Sequence, residues 1–275
     1  METILAQPKI FARRGHRGVI FKNRGYCNIC MDETEFVANH EWLRDFYLCV
    51  KCGTCPRQRA TVEVLNYVRP DWRNLTIHES SPCINFFAEQ CKGYTASYLF
   101  ENVELGSYKD GSRCENLECL TFEDELFDIF ITQDVMEHVF RPDKVLREVM
   151  RVLKTGGVHI FTAPKHKDLL KSHRRAKQKW TFLDRLLGRT GRFPEPDFIK
   201  HIHSPVYHGN PIGDGKSLVT WDYGADFDDL IKEWSGYNVS TFVIRDRKKG
   251  IDGEFLEVFV LIKDELNRIG SIVNT

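Results

Sequence analysis

The chain has 275 residues, enough for one sizeable core and a small satellite, since single domains mostly fall between about 50 and 250 residues. Lys plus Arg and Asp plus Glu both number 39, so the bulk charge does not advertise a polyanionic partner and argues against a dedicated nucleic-acid binder, although a local patch stays open. The opening "METILAQPKIFARRGHRGVIF" has no long apolar run with a cleavage site after it, and no later stretch approaches the ~20 apolar residues of a membrane span, which predicts a soluble, cytoplasmic protein.

The nine cysteines split into a tight N-terminal group and a scatter. Cys27 and Cys30, then Cys49 and Cys52, form C-x2-C pairs with 18 residues between them, a spacing that reads as a tetrahedral zinc ribbon with a short hairpin between two knuckles. Four thiolates leave no open position on the ion, so the zinc is expected to be structural. Cys55 is a competing fifth thiol and His40 a weaker substitute. Cys83, Cys91, Cys114 and Cys119 read as small core residues. Next, "CPRQRATVEVLNYV" places Ala60, Val64, Leu65 and Val68 at helical spacing and stops before Pro70.

From Trp72 onward strand-like and helix-like segments alternate. "NLTIHE" is a strand, with Ser81 placed to N-cap a helix whose first turn holds Pro82. "GYTASYLF" is a second strand, "CENLECLTF" a third with its turn, and "FDIFITQ" a fully buried fourth. "RPDKVLREVMRVLKTGG" is an amphipathic helix ended by glycine and followed by the strand "VHIFTAP". Residues 165–224 are too long for a simple crossover, and such segments usually carry function. Within them Lys171 to Lys179 read as a basic helix, whose functional meaning is an anionic acceptor and whose bland meaning is a solvated face. "YGADFDDLIKEW" is a helix with Phe227, Leu230, Ile231 and Trp234 inward, and "YNVSTFVIR" and "GEFLEVFVLIK" form a closing antiparallel hairpin. The expected fold is therefore α/β: a zinc ribbon in residues 1–56, then a Rossmann-like doubly wound sheet in 57–275 with a substrate or lid insertion around 165–224.

The block "LTFEDELFDIFITQDVMEHVFRPDKVLREVMRVLKTGGVHIFTAP" resembles the central block of class I S-adenosylmethionine-dependent methyltransferases of the type 11 kind. There "LpF.d.sFD" precedes the buried strand, "lEH" follows it and "RvLkpGG" leads to the next strand. A looser likeness extends from about Arg57 to Lys263, and "CVKCGTCPRQR" resembles a zinc-ribbon leader carried by some members of that superfamily.

The resemblance implies S-adenosylmethionine as cofactor and a set of contacts at the strand ends. Glu79 is expected at the cofactor's ammonium and Ser81 at its carboxylate, with Ser80 between them in a loop where the family has glycines. Ser97 takes the place of the acidic residue that holds the ribose, and Asn116, beside the Leu117 backbone, that of the aspartate on the adenine amino group. Gln133 and Asp134 are expected near the sulfonium. His138 is the first candidate for general base, with His203, Tyr207 and His208 as further catalytic candidates. "YHGNP" resembles a segment seen at this position in related enzymes. His201, His203 and His208 suit a metal but have no carboxylate in register. The acceptor implied is a small or medium polar molecule such as a sugar or secondary metabolite. A non-catalytic scaffold for protein contacts and a nucleic-acid methyltransferase are the competing readings, and the sequence leaves the oligomeric state open.

Overall fold

The computed structural model describes residues 18–179, 198–210, 212 and 215–269, so 180–197 of the expected acceptor segment lie outside the described residues. Strands β1 (Phe21–Cys27), β2 (Asp32–Ala38) and β3 (Tyr47–Cys49) form a small antiparallel sheet, with the short helix α1 (Leu43–Phe46) before β3. The first cysteine knuckle is the β1–β2 turn itself and the second follows β3. Helix α2 (Pro56–Val68) leaves the ribbon directly, with Ala60, Val64 and Leu65 buried.

The main sheet follows: β4 (Thr76–Ser80), α3 (Phe86–Gln90), β5 (Gly93–Tyr98), β6 (Tyr108–Lys109), β7 (Ser112–Cys114), β8 (Phe127–Gln133), α4 (Pro142–Val152) and β9 (Leu153–Thr162). Short strands β10 (His173–Arg174), β11 (Ala176–Gln178), β12 (Ile199–His201), β13 (Tyr207–Gly209), β14 (Lys216–Leu218) and β15 (Trp221–Asp222) pair as β10–β15, β11–β12 and β13–β14. Helix α5 (Phe227–Ser235) and strands β16 (Val239–Val243) and β17 (Glu257–Ile262) complete the chain. The eight-stranded order is β16-β17-β9-β8-β4-β5-β7-β6, parallel from β9 to β7, with β17 antiparallel to both β9 and β16. The doubly wound sheet with its C-terminal antiparallel hairpin is thus present.

Side chains alternate across this sheet as strand periodicity requires. Ile129, Ile131, Val158, Ile160, Val258 and Val260 pack on one face with α2, and Phe130, Phe161, Phe259 and Leu261 on the other with α4 and α5. The first face continues without a break into the ribbon, whose Phe36, Tyr47 and cysteines belong to the same cluster. Gly25 shows how tight that join is: a Cβ there would lie 1.9 Å from the Lys248 carbonyl oxygen. Arg59, fully buried in α2, donates to the carbonyls of Tyr47, Thr54 and Gly250 and so staples the ribbon to the closing hairpin's turn.

Five local expectations are corrected. Ser81 is not an N-cap: it lies at φ +56°, and the helix begins only at Phe86. The third strand ends at Cys114 rather than occupying 114–122, because Glu115 draws in the Thr121 amide and hydroxyl and Asn116 Oδ1 accepts from the Glu118 amide; such local bonds compete with a sheet ladder. Helix α4 stops at Val152, not at glycine, and Gly156 (φ +77°) and Gly157 instead form a bulge in β9, where pairing jumps from Phe127–Leu153 to Ile129–Val158. Residues 171–179 form strands rather than a helix, with Arg175 paired to Asp222 and Arg174 stacked on Trp221. Cys119 is exposed, whereas Cys91 and Cys114 are core residues.

Two histidines are sealed in the sheet. His78 bonds Thr95 and Ser97, and His159 bonds Thr132 and stacks on Phe161. Burial pushes both pKa values down from 6.5 to about 3. The unfolded chain therefore binds more protons between those limits, so this stabilisation is complete above pH 6.5 and is lost as pH falls toward 3. Glu79, raised from 4.5 to about 7 by burial, acts in the opposite sense, one proton against two. The urea midpoint should fall between pH 7 and pH 5, and fall less in His159→Asn; equal shifts in the two proteins would contradict the assignment.

Candidate active site

Between β4 and β8 the winding reverses, since the chain runs from β4 outward to β5 and β7, then returns to β8 and β9 on the other side. Ligands of doubly wound sheets bind beyond the carboxyl ends of the strands at such a point. Here a cleft of about 3460 Å³ opens, walled by Ser81, Asn116, Gln133, His138, Tyr207 and His208 among others. One small-molecule ligand usually occupies about 300–1,000 Å³, so the cleft has room for a cofactor and an acceptor side by side.

The glycine-free loop turns without glycine because Ser81 itself adopts the left-handed conformation. Its amide donates to Ser97 O at 2.8 Å, and Tyr98 Oη donates to Pro82 O at 2.8 Å, which fixes the loop against β5. Glu79 is 1% exposed and stands behind the cleft wall, accepting from Tyr94 Oη at 2.9 Å and from Gln133 Nε2 at 3.1 Å. Ser80 is also buried, at the end of β4. Ser97 turns its hydroxyl inward to His78 Nε2 at 2.9 Å, away from the cleft. Asn116 reaches the cleft wall, while Leu117 joins the core beneath it.

Asp134 also lies in the left-handed region, at φ +54°, directly after β8. Both its oxygens accept from Arg44 Nη2 at 2.7 Å, Arg57 Nε lies 3.0 Å away, and Thr162 donates its hydroxyl at 2.9 Å. Burial raises its pKa, but Arg57 and Arg44 outweigh this and hold the carboxyl well below the usual range. Neither arginine was singled out at the sequence level, and no local motif marks Arg44 as the partner of a residue 90 positions away.

Across the cleft, His138 and His208 meet edge to face, with ring centroids 5.1 Å apart. Between them sits Glu137, 2% exposed, its Oε1 at 3.7 Å from His138 Nε2 and from His208 Nδ1. His138 Nδ1 is 2.9 Å from Leu218 O; a carbonyl only accepts, so Nδ1 carries the hydrogen and Nε2 is left as the basic atom. Glu137 raises the pKa of His208, with burial opposing. Tyr207 lies on the same wall, whereas His203 packs against His173 with centroids 4.9 Å apart and is not on the cleft wall. Among the described residues, His201 and His203 form no metal-ligand cluster with His208. The carboxylate the histidines lacked is Glu137, whose adjacency to His138 in "MEH" was the available signal.

The four ribbon cysteines converge, with all Sγ atoms within 4.8 Å of one another and Cys27–Cys52 and Cys30–Cys49 at 3.8 and 3.6 Å. A tetrahedron with Zn–S bonds of about 2.3 Å has edges of about 3.8 Å, which these two sulfur–sulfur separations match, so the donor set fits Zn²⁺. Cys55 stands apart as the N-cap of α2, and His40 Nδ1 accepts from the Trp42 amide.

A non-glycine residue in the left-handed region carries about 1–2 kcal/mol of strain, partly offset when glycine replaces it by glycine's greater loss of entropy. Ser81→Gly should therefore raise stability by about 0.5–1 kcal/mol and Ser81→Val should lower it. Denaturant titration checks both, and a destabilising Ser81→Gly would contradict the loop geometry.

No curated protein matches the sequence. Solved structures that are similar include the YcgJ protein from Bacillus subtilis (12% identity, TM-score 0.40, 68% of this chain and 71% of that one). Another is an S-adenosylmethionine dependent methyltransferase from Mesorhizobium loti (14%, 0.43, 74% and 97%). A third is 1,6-didemethyltoxoflavin-N1-methyltransferase from Burkholderia thailandensis, with bound 1,6-didemethyltoxoflavin and S-adenosylhomocysteine (10%, 0.40, 76% and 78%). The model of the methyltransferase domain family matches residues 88–161, the stretch that runs from within α3 to the end of β9 and includes the switch-point strand β8. Over that stretch the chain is similar to the methyltransferase domain family.

Proposed function

We propose that the chain transfers a methyl group from S-adenosylmethionine to a hydroxyl of a small or medium polar acceptor held in the switch-point cleft. The observation that carries this reading is the pairing of two unlike walls in one cleft. Ser81, Asn116 and Gln133 offer neutral hydrogen-bonding groups on the sheet side, and Glu137, His138 and His208 form a proton-accepting cluster opposite. When bound, S-adenosylmethionine supplies an electrophilic methyl on a sulfonium, whose bond to sulfur breaks with its electron pair staying on sulfur as the bond to the acceptor oxygen forms. The protein's part is to hold donor and acceptor in line and to keep water out.

In this reading Gln133 and the Ser81 loop receive the methionine end, with Glu79 acting on its ammonium from behind Gln133. Asn116 and the Leu117 backbone receive the adenine, and Ser97 supports the ribose side from beneath. Asp134 fixes the end of β8 through its arginines. The acceptor's proton leaves toward the cluster, where His138 Nε2 carries the lone pair in the neutral ring, and Tyr207 belongs to the acceptor side, whereas His203 lies off the cleft wall. Arg175 is paired with Asp222 and Arg174 is stacked on Trp221, so of these two only Arg174 keeps, among the described residues, an unpaired charge for an anionic acceptor. Among the described residues no helix is long and apolar enough to cross a membrane.

Calorimetric titration with S-adenosylhomocysteine is expected to give saturable heat, and no heat at millimolar ligand would contradict the proposal in favour of a non-catalytic scaffold. Affinity should also increase as pH rises through about 7, where Glu79 ionises. Glu79→Gln should lose that dependence and weaken binding above pH 7, through the lost charge behind Gln133. An unchanged pH profile would remove Glu79 from the site.

A further inference from the structure

We propose that Glu137, His138 and His208 form a metal site, separate from the ribbon, that takes a divalent first-row transition cation at the acceptor end of the cleft. Three ligand atoms, one from each residue, lie within 4.8 Å of one another. The two nitrogen–oxygen separations of 3.7 Å are a few tenths longer than the edge of about 3.4 Å for a tetrahedron with bonds of 2.0–2.1 Å, so contraction onto an ion needs only side-chain adjustment.

Glu137 is the independent observation. It is 2% exposed, yet among the described residues neither of its carboxylate oxygens has a hydrogen-bond partner, the two histidine nitrogens standing at 3.7 Å. A buried carboxylate without partners is costly, and proteins place a cation or a proton there. His138 Nε2 faces it, and with Nδ1 donating to Leu218 O it is the nitrogen that carries the lone pair in the neutral ring. Two electron-rich atoms thus point at one spot. Donation of the far ring hydrogen to a backbone carbonyl is also what orients a metal-binding imidazole.

The backbone around the cluster is held as a ligand frame requires. Thr220 donates its amide to Glu137 O at 2.8 Å and its hydroxyl to Glu137 O and Val139 O, and Tyr223 Oη donates to Met136 O at 2.7 Å. Two imidazoles and a carboxylate suit Zn²⁺, Co²⁺, Ni²⁺ or Fe²⁺, unlike the four thiolates of the ribbon. Three protein ligands leave positions open toward the cleft, the arrangement of a catalytic rather than a structural ion.

In the methyl-transfer reading, on which this step alone rests, the acceptor hydroxyl ligates the cation. With the cation bound, His138 would serve as ligand rather than base, and the acceptor's proton would pass to the carboxylate oxygen of Glu137 that does not ligate, more readily because the alkoxide would form beside a positive charge. The substrate class is therefore an alcohol able to coordinate a metal.

The test is a Co²⁺ titration of the full chain with its ribbon already filled with zinc, followed by calorimetry and visible absorption, without S-adenosylmethionine. One further equivalent is expected, without thiolate charge-transfer bands. His208→Ala, at a side chain 43% exposed, and Glu137→Gln should each weaken its uptake at least tenfold, with ribbon zinc kept at one equivalent and thermal unfolding still cooperative. Wild-type protein that takes no further Co²⁺ would overturn the proposal and assign the cluster to an imidazolium–carboxylate contact, as would variants that bind it like wild type. Co²⁺ uptake without S-adenosylhomocysteine binding would leave the metal site standing and remove the methyl-transfer reading; the reverse result would remove only the metal site.

Discussion

A single carboxylate, Asp134, ties together the ribbon, the first turn of α2 and the ends of β8 and β9. It receives Arg44 from α1, Arg57 from α2 and the Thr162 hydroxyl from β9. Isolated in the interior, any of these charges would carry a desolvation cost of several kcal/mol. Together they satisfy one another, at the price of a left-handed backbone at Asp134. The end of β8 is thereby set where Gln133 reaches back to Glu79, and the wall of the cleft follows from that position.

The ribbon is consequently a wall of the site rather than an appendage. Its buried residues share a cluster with α2 and the central sheet, Arg59 bonds carbonyls on both sides of the join, and Arg44 and Trp42 line the same cleft as Gln133. Zinc bound to four thiolates stabilises the folded ribbon, and through Arg44 that stabilisation reaches the strand end. A structural ion and a reaction cleft are in this way linked by one ion pair.

Much of the fold was legible because it rests on local periodicity. "FDIFITQ" is β8 to the residue, α2 buries the face its spacing marks, α5 buries Phe227 and Ile231 while Leu230 and Trp234 are only partly covered, and the closing hairpin lies where its two apolar runs predict. The cysteine spacing likewise determines a donor set before any folding is considered. What was not legible depends on conformations and pairings that leave no periodic trace. Serine at position 81 gives no hint that it will take a glycine's backbone angle. Residues 171–179 read as a basic helix until their pairing with 199–201 and 221–222 is known. Glu137 stood in plain view beside His138, but its value comes from His208, 71 residues on, which the fold brings as close to its carboxylate as His138.

The most direct measurement of this account is a double-mutant cycle on Arg44 and Asp134, with Arg44→Ala, Asp134→Ala and the double variant compared by urea denaturation of the zinc-loaded protein. Strong coupling is expected, about 1.5–3 kcal/mol, with the double variant less destabilised than the sum of the single ones. Additivity to within about 0.5 kcal/mol would mean that the ribbon and the strand end are held by something other than this ion pair.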